Sequence, residues 1–503
     1  MACPHAPKNL LSRLWIAITH SAFIVGLLSL IWLIARTGTK PSRVAYPCQR
    51  TAAANGAAWL AAYVIPLLPF ARTLRGERIG RRVASRGLGF VILAMGVLCL
   101  GSGLEPAASR GAHTVLALTL SEQRATNTLL SSVFAVQGIK SSTSGMGIPE
   151  LISLMYAHDT CFYRSGEAGV AKGPNGLFAA DDVVLIKVNC QWDQRGGTNT
   201  DLLRAVIQAL LSHPDGFTGE VIVADNGQAQ FGPRRNGGSL DWARNNAETL
   251  SQSAQEVVDA FSETARVSTY LWDEITLNEV AEYSRGDSED GYVVEAEEAS
   301  RSRMPITYPK FTTLYDTHVS FKHGIWDPEA QTYNSHRLKV INLPVLKPHM
   351  IYGVTGAVKH YMGVVSDWLS SMSGMRAHNA IPLGAMGFEM VETRFPTLNV
   401  LDALYVSFRP GDGPMVYYAA ATQIGIIAAS TDPVALDAWA ARHILMQGAE
   451  QAGYATSSFN PSTSESPKGS FAHYLEESRQ VLHEQGFRVT SDERAMHVFV
   501  RAL

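Results

Sequence analysis

Charge is scarce in this sequence. Charged residues make up 17% of its 503 residues, against 46% hydrophobic. That share is low for a soluble chain and is expected when an apolar segment is averaged with an ordinary globular one. The net charge of −3 supplies no basic excess, so nucleic acid is not an expected partner. Cysteine is scarcer still. The five cysteines stand at 3, 48, 99, 161 and 190. None forms a CxxC pair, which argues against a zinc ribbon and a cysteine-ligated iron–sulfur cluster. Only Cys161 and Cys190 lie beyond the apolar N-terminal segment. They read either as one disulfide, in an oxidising compartment, or as two small buried side chains. No internal repeat is evident.

Long hydrophobic runs are present, and they are confined to one end. Trp15 to Ala35 is 21 residues without a charge, and about 20 apolar residues cross a bilayer as a helix. Ala57 to Ala71 is a weaker run holding Pro66 and Pro69, and Gly87 to Leu104 is apolar throughout. A cleaved signal peptide would explain the first run but not the other two. Residues 1–110 therefore read as a membrane anchor of two or three helices, with the lipid bilayer as partner of residues 15–104. Basic residues set the orientation. With three spans, Lys8, Arg13, Arg72, Arg75, Arg78, Arg81, Arg82 and Arg86 share the cytoplasmic side. With two spans the basic segment between 36 and 86 is cytoplasmic. Either way residues 111–503 lie on the exoplasmic side, periplasmic or extracellular.

Those residues read as a soluble α/β domain. Val183 to Asn189 is an apolar run that ends polar, a buried strand. Asp201 to Leu211 carries a helical apolar stripe, and Glu220 to Asp225 is a second buried strand. Strand, helix, strand at this spacing is a Rossmann-like βαβ unit, so a mainly parallel sheet with flanking helices is expected. Arg234 to Arg303 is rich in charge and amides and reads as helices and loops over the sheet. Strands return at Arg337 to Leu343, Leu398 to Leu404 and Gln423 to Ala429, followed by a helix from Asp432 to Leu445 opened by Asp-Pro. In open α/β sheets ligands bind beyond the carboxyl ends of the strands. Lys187 and Asn189 stand at such an end.

Three segments concentrate polar chemistry. Asn342-Leu343-Pro344-Val345-Leu346-Lys347-Pro348-His349 runs from a strand into a loop with a lysine and a histidine. Thr355-Gly356-Ala357-Val358-Lys359-His360-Tyr361-Met362-Gly363 is a small-residue turn whose helix start would favour an anion. Asp412-Gly413-Pro414 is followed by Ser430-Thr431-Asp432-Pro433-Val434-Ala435-Leu436-Asp437, with one aspartate at a strand-to-helix turn. Together with Ile186 to Asn189, His378 and Asp402, these motifs resemble the domain of unknown function 362 family over roughly 182–445. Many members of that family carry ferredoxin-type cysteine clusters; this chain does not, so a redox role does not follow. The family's usual Lys-Asn in the second stretch is Lys359-His360 here.

Lys347, His349, Lys359 and His360 are the candidate catalytic residues. Lysines among apolar neighbours act as anion binders or as amines of lowered pKa; their plainer alternative is a charge reaching out to water. Lys187, Asn189, Asn342, Thr355, Asp432 and Asp437 are the candidate substrate-binding residues, although Asp432 is equally explained as a helix cap. His349, His360, His378 and Asp402 are candidate ligands of a divalent metal, for which no local spacing motif exists. The set suits acid–base work on an anionic small molecule, metal-assisted or not. A non-catalytic anion receptor and a metal or redox carrier are the alternatives.

Overall fold

In the computed structural model, the described residues are 118–127, 131–228, 238–243, 246–247, 251–295, 304–370, 377–465 and 470–503, together with Leu30. Contacts divide the chain into Met1–Gly111 and Ala112–Leu503. The three apolar runs and their basic loops lie outside the described residues. Among the described residues no helix is long and apolar enough to cross a membrane.

The second unit is built on an eight-stranded sheet. Its strands are β1 (Ser131–Gln137), β2 (Val183–Lys187), β3 (Glu220–Asp225), β4 (Val267–Leu271), β5 (Leu338–Asn342), β6 (Leu398–Val406), β7 (Thr422–Ser430) and β8 (Met496–Ala502). The order across the sheet is β8-β1-β7-β6-β5-β2-β3-β4. Only β7 runs against the others. The mostly parallel sheet expected from the βαβ pattern is therefore present. Its flanking helices include α1 (Ile148–Ala157), α2 (Thr200–Leu211), α3 (Ala357–His360), α4 (Ala385–Glu392), α5 (Pro433–Ala440) and α6 (Phe471–Glu484).

The strands are apolar on both faces because both faces are covered. Val184, Ile186, Val221 and Val223 pack with α1 and α2. Val183, Leu185, Ile222 and Ala224 face the core shared with α3 to α6. Period-two alternation thus divides one run between two cores.

One departure from the sequence reading matters. The Arg234 to Arg303 stretch is not only helices and loops: it holds β4, a full member of the main sheet, and the strand Gly291–Glu295. That strand opens a five-stranded antiparallel sheet with Ile306–Thr312, His318–Ser320, Gly324–Asp327 and Thr332–Asn334. The residue types explain why it went unread. β4 is a short edge strand, Val-Ser-Thr-Tyr-Leu, whose last three residues are only half-buried, so it lacks the apolar run of its neighbours. Cys161 and Cys190 are both free thiols.

The stagger of β5 and β6 prepares the site. Asn342, the last residue of β5, pairs with Asn399, the second of β6. β6 then continues beyond the carboxyl end of β5, and Val345 bridges to Asp402 alongside it. The chain leaving β5 is guided along this wall into a hairpin, Lys347–His349 paired with Gly353–Thr355, and then into α3.

Candidate functional site

A belt of buried polar groups crosses the strand ends. Lys187 Nζ lies 2.7 Å from Asp225 Oδ1 and donates to the Val188 carbonyl at 3.0 Å. The other Asp225 oxygen accepts from Cys190 N at 2.7 Å. His360 Nε2 meets the same Val188 carbonyl at 2.9 Å, and its Nδ1 meets Asn342 Oδ1 at 2.6 Å. Asn342 Nδ2 donates to the Ala357 carbonyl and to Asn399 Oδ1, and Asn399 donates in turn to the Ser430 carbonyl. The belt joins β3, β2, β5, β6 and β7. Burial lowers Lys187 and raises Asp225, and their mutual contact opposes both shifts. The pair is buried but hydrogen-bonded on both sides, the arrangement in which such pairs persist.

His360 belongs to this belt by geometry. Both its nitrogens face acceptors, and Asn342 is held in that orientation by its own donation to Ala357. Burial, with the charges of Lys187 and Lys347, holds the ring neutral. A neutral ring donates only once. Both nitrogens are committed to acceptors, so His360 ties strand ends together.

The reactive group sits beside the belt. Lys347 and Thr355 are directly opposite in the hairpin, so their side chains leave the same face, and His349, two residues on, shares it. Lys347 Nζ donates to the Gly196 carbonyl. His349 Nδ1 accepts from Ile351 N and Tyr352 N, each at 3.1 Å. That leaves Nε2 as the protonated nitrogen of the neutral ring, free to donate. The Tyr352 ring lies 5.1 Å from His349 and 5.2 Å from His378, and its hydroxyl donates to the His378 carbonyl at 2.5 Å. Lys359 Nζ lies 3.4 Å from His378 Nε2 and 5.6 Å above the Tyr352 ring.

Electrostatics in this group point one way. Burial, then the charge of Lys187, brings Lys359 down to about 7. Burial, then Lys359, takes Lys347 well below the ordinary amine range. Burial, then Lys359, brings His378 down to about 3, and His349 falls for the same reasons. The group is a nest of cationic side chains kept from holding their charge.

The sequence-predicted residues divide accordingly. Lys347, His349, Lys359 and His378 gather together, with Lys187, His360 and Asn342 beneath them. Thr355 and Asn189 are buried nearby, and Thr355 Oγ1 and Asn189 Oδ1 have no hydrogen-bond partner. The other aspartates have structural work. Asp432 caps α5 through Val434 N and Ala435 N and also holds Ser131 and Thr490 N. Asp437 accepts from Ala357 N and Val358 N. The start of α3, expected from the sequence to favour an outside anion, is already occupied by this carboxylate. A Cβ on Gly356 would collide with it. Burial raises Asp432 to about 6 and Asp437 to about 7.

The proposed metal ligands do not converge. Asp402 accepts from Asn199 N, Leu404 N and Asn246 Nδ2, and His360 turns both nitrogens to acceptors. Among the described residues no group of three or more His, Cys, Asp or Glu is arranged to hold a metal ion. Sequence reading missed Asp225 as the partner of Lys187, although its place at a strand end was a signal, and it missed Tyr352. Nothing local marked Gly196, whose carbonyl accepts from Lys347.

The fold and the site define a class: an α/β protein with both sheet faces covered and a buried cationic group beyond its strand ends. Residues 326–442 match the family described as Domain of unknown function (DUF362). That match supports the family resemblance and includes the hairpin, α3, His378 and α5; Lys187, Asn189 and Asp225 precede it. No curated protein matches the chain, and no solved structure does.

Proposed function

We propose that this chain is a membrane-anchored enzyme that acts on an anionic small molecule by proton transfer. Lys359, beside His378, is the proton-transferring group, and Lys347 with His349 holds the ligand. The observation that carries the reading is the pair of buried lysines whose contacts are a carbonyl and an imidazole rather than carboxylates. A buried ammonium without a counter-ion is costly. Such an arrangement is retained where an anion supplies the charge, and an amine near neutrality is a competent acid and base.

The anchor rests on the three apolar runs, and the basic residues around them place the folded unit on the exoplasmic side. For the chemistry, the full-length protein would be incubated with a panel of anionic carbon acids in heavy water, and deuterium incorporation followed by mass spectrometry. Exchange that disappears in Lys359→Met supports proton transfer. Tight binding with no exchange or turnover of any panel member would make the protein a receptor. Stoichiometric metal on elemental analysis would favour the carrier alternative.

A further inference from the structure

The charge balance of the site extends the anion reading, on which this inference rests. Each aspartate near the lysines is already committed. Asp225 pairs with Lys187. Asp402 serves Asn199, Leu404 and Asn246, and Asp437 serves the first turn of α3. Asp432 caps α5. Lys347 and Lys359 are left with the Gly196 carbonyl and His378. Neither lysine therefore has a carboxylate at ion-pair distance among the described residues, although Asp225 and Asp402 act on Lys347 from further away.

Two unpartnered polar atoms lie on the segments that hold Lys347. Thr355 stands opposite it in the hairpin, 4% exposed, and its hydroxyl has no partner. Asn189 closes the loop that carries Gly196: its N–H donates to Thr198 Oγ1 at 2.7 Å, and its carbonyl accepts from Thr198 N. Its side-chain Oδ1 is buried without a partner. Buried polar atoms are almost always satisfied, so two orphans on the segments that hold Lys347 mark a ligand's contacts.

We propose that the site takes a compact dianion, either a tetrahedral oxyanion such as a phosphate group or a short dicarboxylate. One negative charge answers each of Lys347 and Lys359, and the Thr355 hydroxyl and Asn189 carboxamide complete the hydrogen bonds. A monoanion can hold only one of the two lysines as ammonium. The ligand-free protein holds Lys359 near 7, and burial lowers Lys347 as well. At pH 8 a dianion that holds both lysines as ammonium must therefore draw in more protons as it binds than a monoanion that holds one.

Calorimetry on the full-length chain at pH 8, in two buffers of different ionisation enthalpy, counts those protons. Sulfate, malonate and acetate are the probes, because none of them titrates there. Sulfate or malonate should bind at least about tenfold more tightly than acetate, with more protons taken up than acetate takes. Preference between sulfate and malonate separates the oxyanion from the dicarboxylate. Thr355→Val should weaken the preferred dianion several-fold and leave the proton count unchanged. Lys359→Met should remove about one proton from the count, with circular dichroism confirming the fold; the count on the unaltered protein stands even if that variant does not fold. Acetate binding as tightly as the dianions, with the same proton uptake, overturns the dianion and leaves the anion site intact. Indifference to all three probes overturns both.

Discussion

Lys359 shows at the scale of one residue how function opposes stability. In the unfolded chain its amine has the ordinary lysine value of 10.5; burial in the fold brings it down to about 7. Its folded pKa is depressed, so the folded state binds fewer protons between those values and stability rises with pH across that window. Below pH 7 the cost of burying the charge is fully present. Lys359→Met should therefore raise the melting temperature at pH 6, and the difference should shrink toward pH 10. A gain of about 1–2 kcal/mol is expected, well under the roughly 5 kcal/mol that the whole shift represents at about 1.4 kcal/mol per unit. Equal melting curves for the two proteins at pH 6 would show that the amine is better solvated than its surroundings imply. Lys347 follows the same sign, since burial lowers it too.

At the scale of elements, the site depends on how α3 is held. It is one turn long, Ala357–His360, too short to stand on its own propensity. Asp437 of α5 satisfies its first two N–H groups. Asp437→Ala removes that support and leaves the two donors buried, which should cost about 2–4 kcal/mol. Anion affinity should fall with it, since Lys359 and His360 ride on the same turn. Chemical denaturation and calorimetry read the two effects; affinity surviving a large loss of stability would separate α3 from the site. Gly363 has a similar duty beneath it. A Cβ there would meet both Asp225 Oδ1 and Lys187 Nζ, so Gly363→Ala should split the buried pair at a cost of about 3–5 kcal/mol.

For the whole molecule, the expectations concern its two units. Contacts separate Met1–Gly111 from Ala112–Leu503, and β1 begins only at Ser131. Deletion of residues 1 to about 110 should release a soluble protein with an intact cooperative melt. Aggregation of every such truncation would mean that the first unit covers part of the second. A reporter that fluoresces only in the cytoplasm, fused after Leu503, should stay dark if the folded unit lies on the exoplasmic side. A bright fusion would reverse the orientation.

Local pattern alone determined the βαβ unit, because Val183 to Lys187 and Glu220 to Asp225 are uninterrupted apolar runs and α2 carries an apolar stripe. It also determined which segments are rich in lysine and histidine, and the family match at 326–442 covers both of them. It did not reveal β4, whose last three residues are only half-buried, or the antiparallel sheet opened by Gly291–Glu295. Such strands are specified by their partners more than by their composition. Only the tertiary structure sorted the polar residues by role. Asp432, Asp437 and Lys359 are all ionisable groups in one chain, and no spacing says which carboxylate will find backbone N–H groups to accept from. The fold gave Asp437 to Ala357 and Val358, gave Asp225 to Lys187, and left Lys347 and Lys359 with a carbonyl and an imidazole. Whether a buried charge is a structural tie or a ligand's partner depends on which groups lie within about 3 Å of it, and that is settled by packing between segments far apart in the chain.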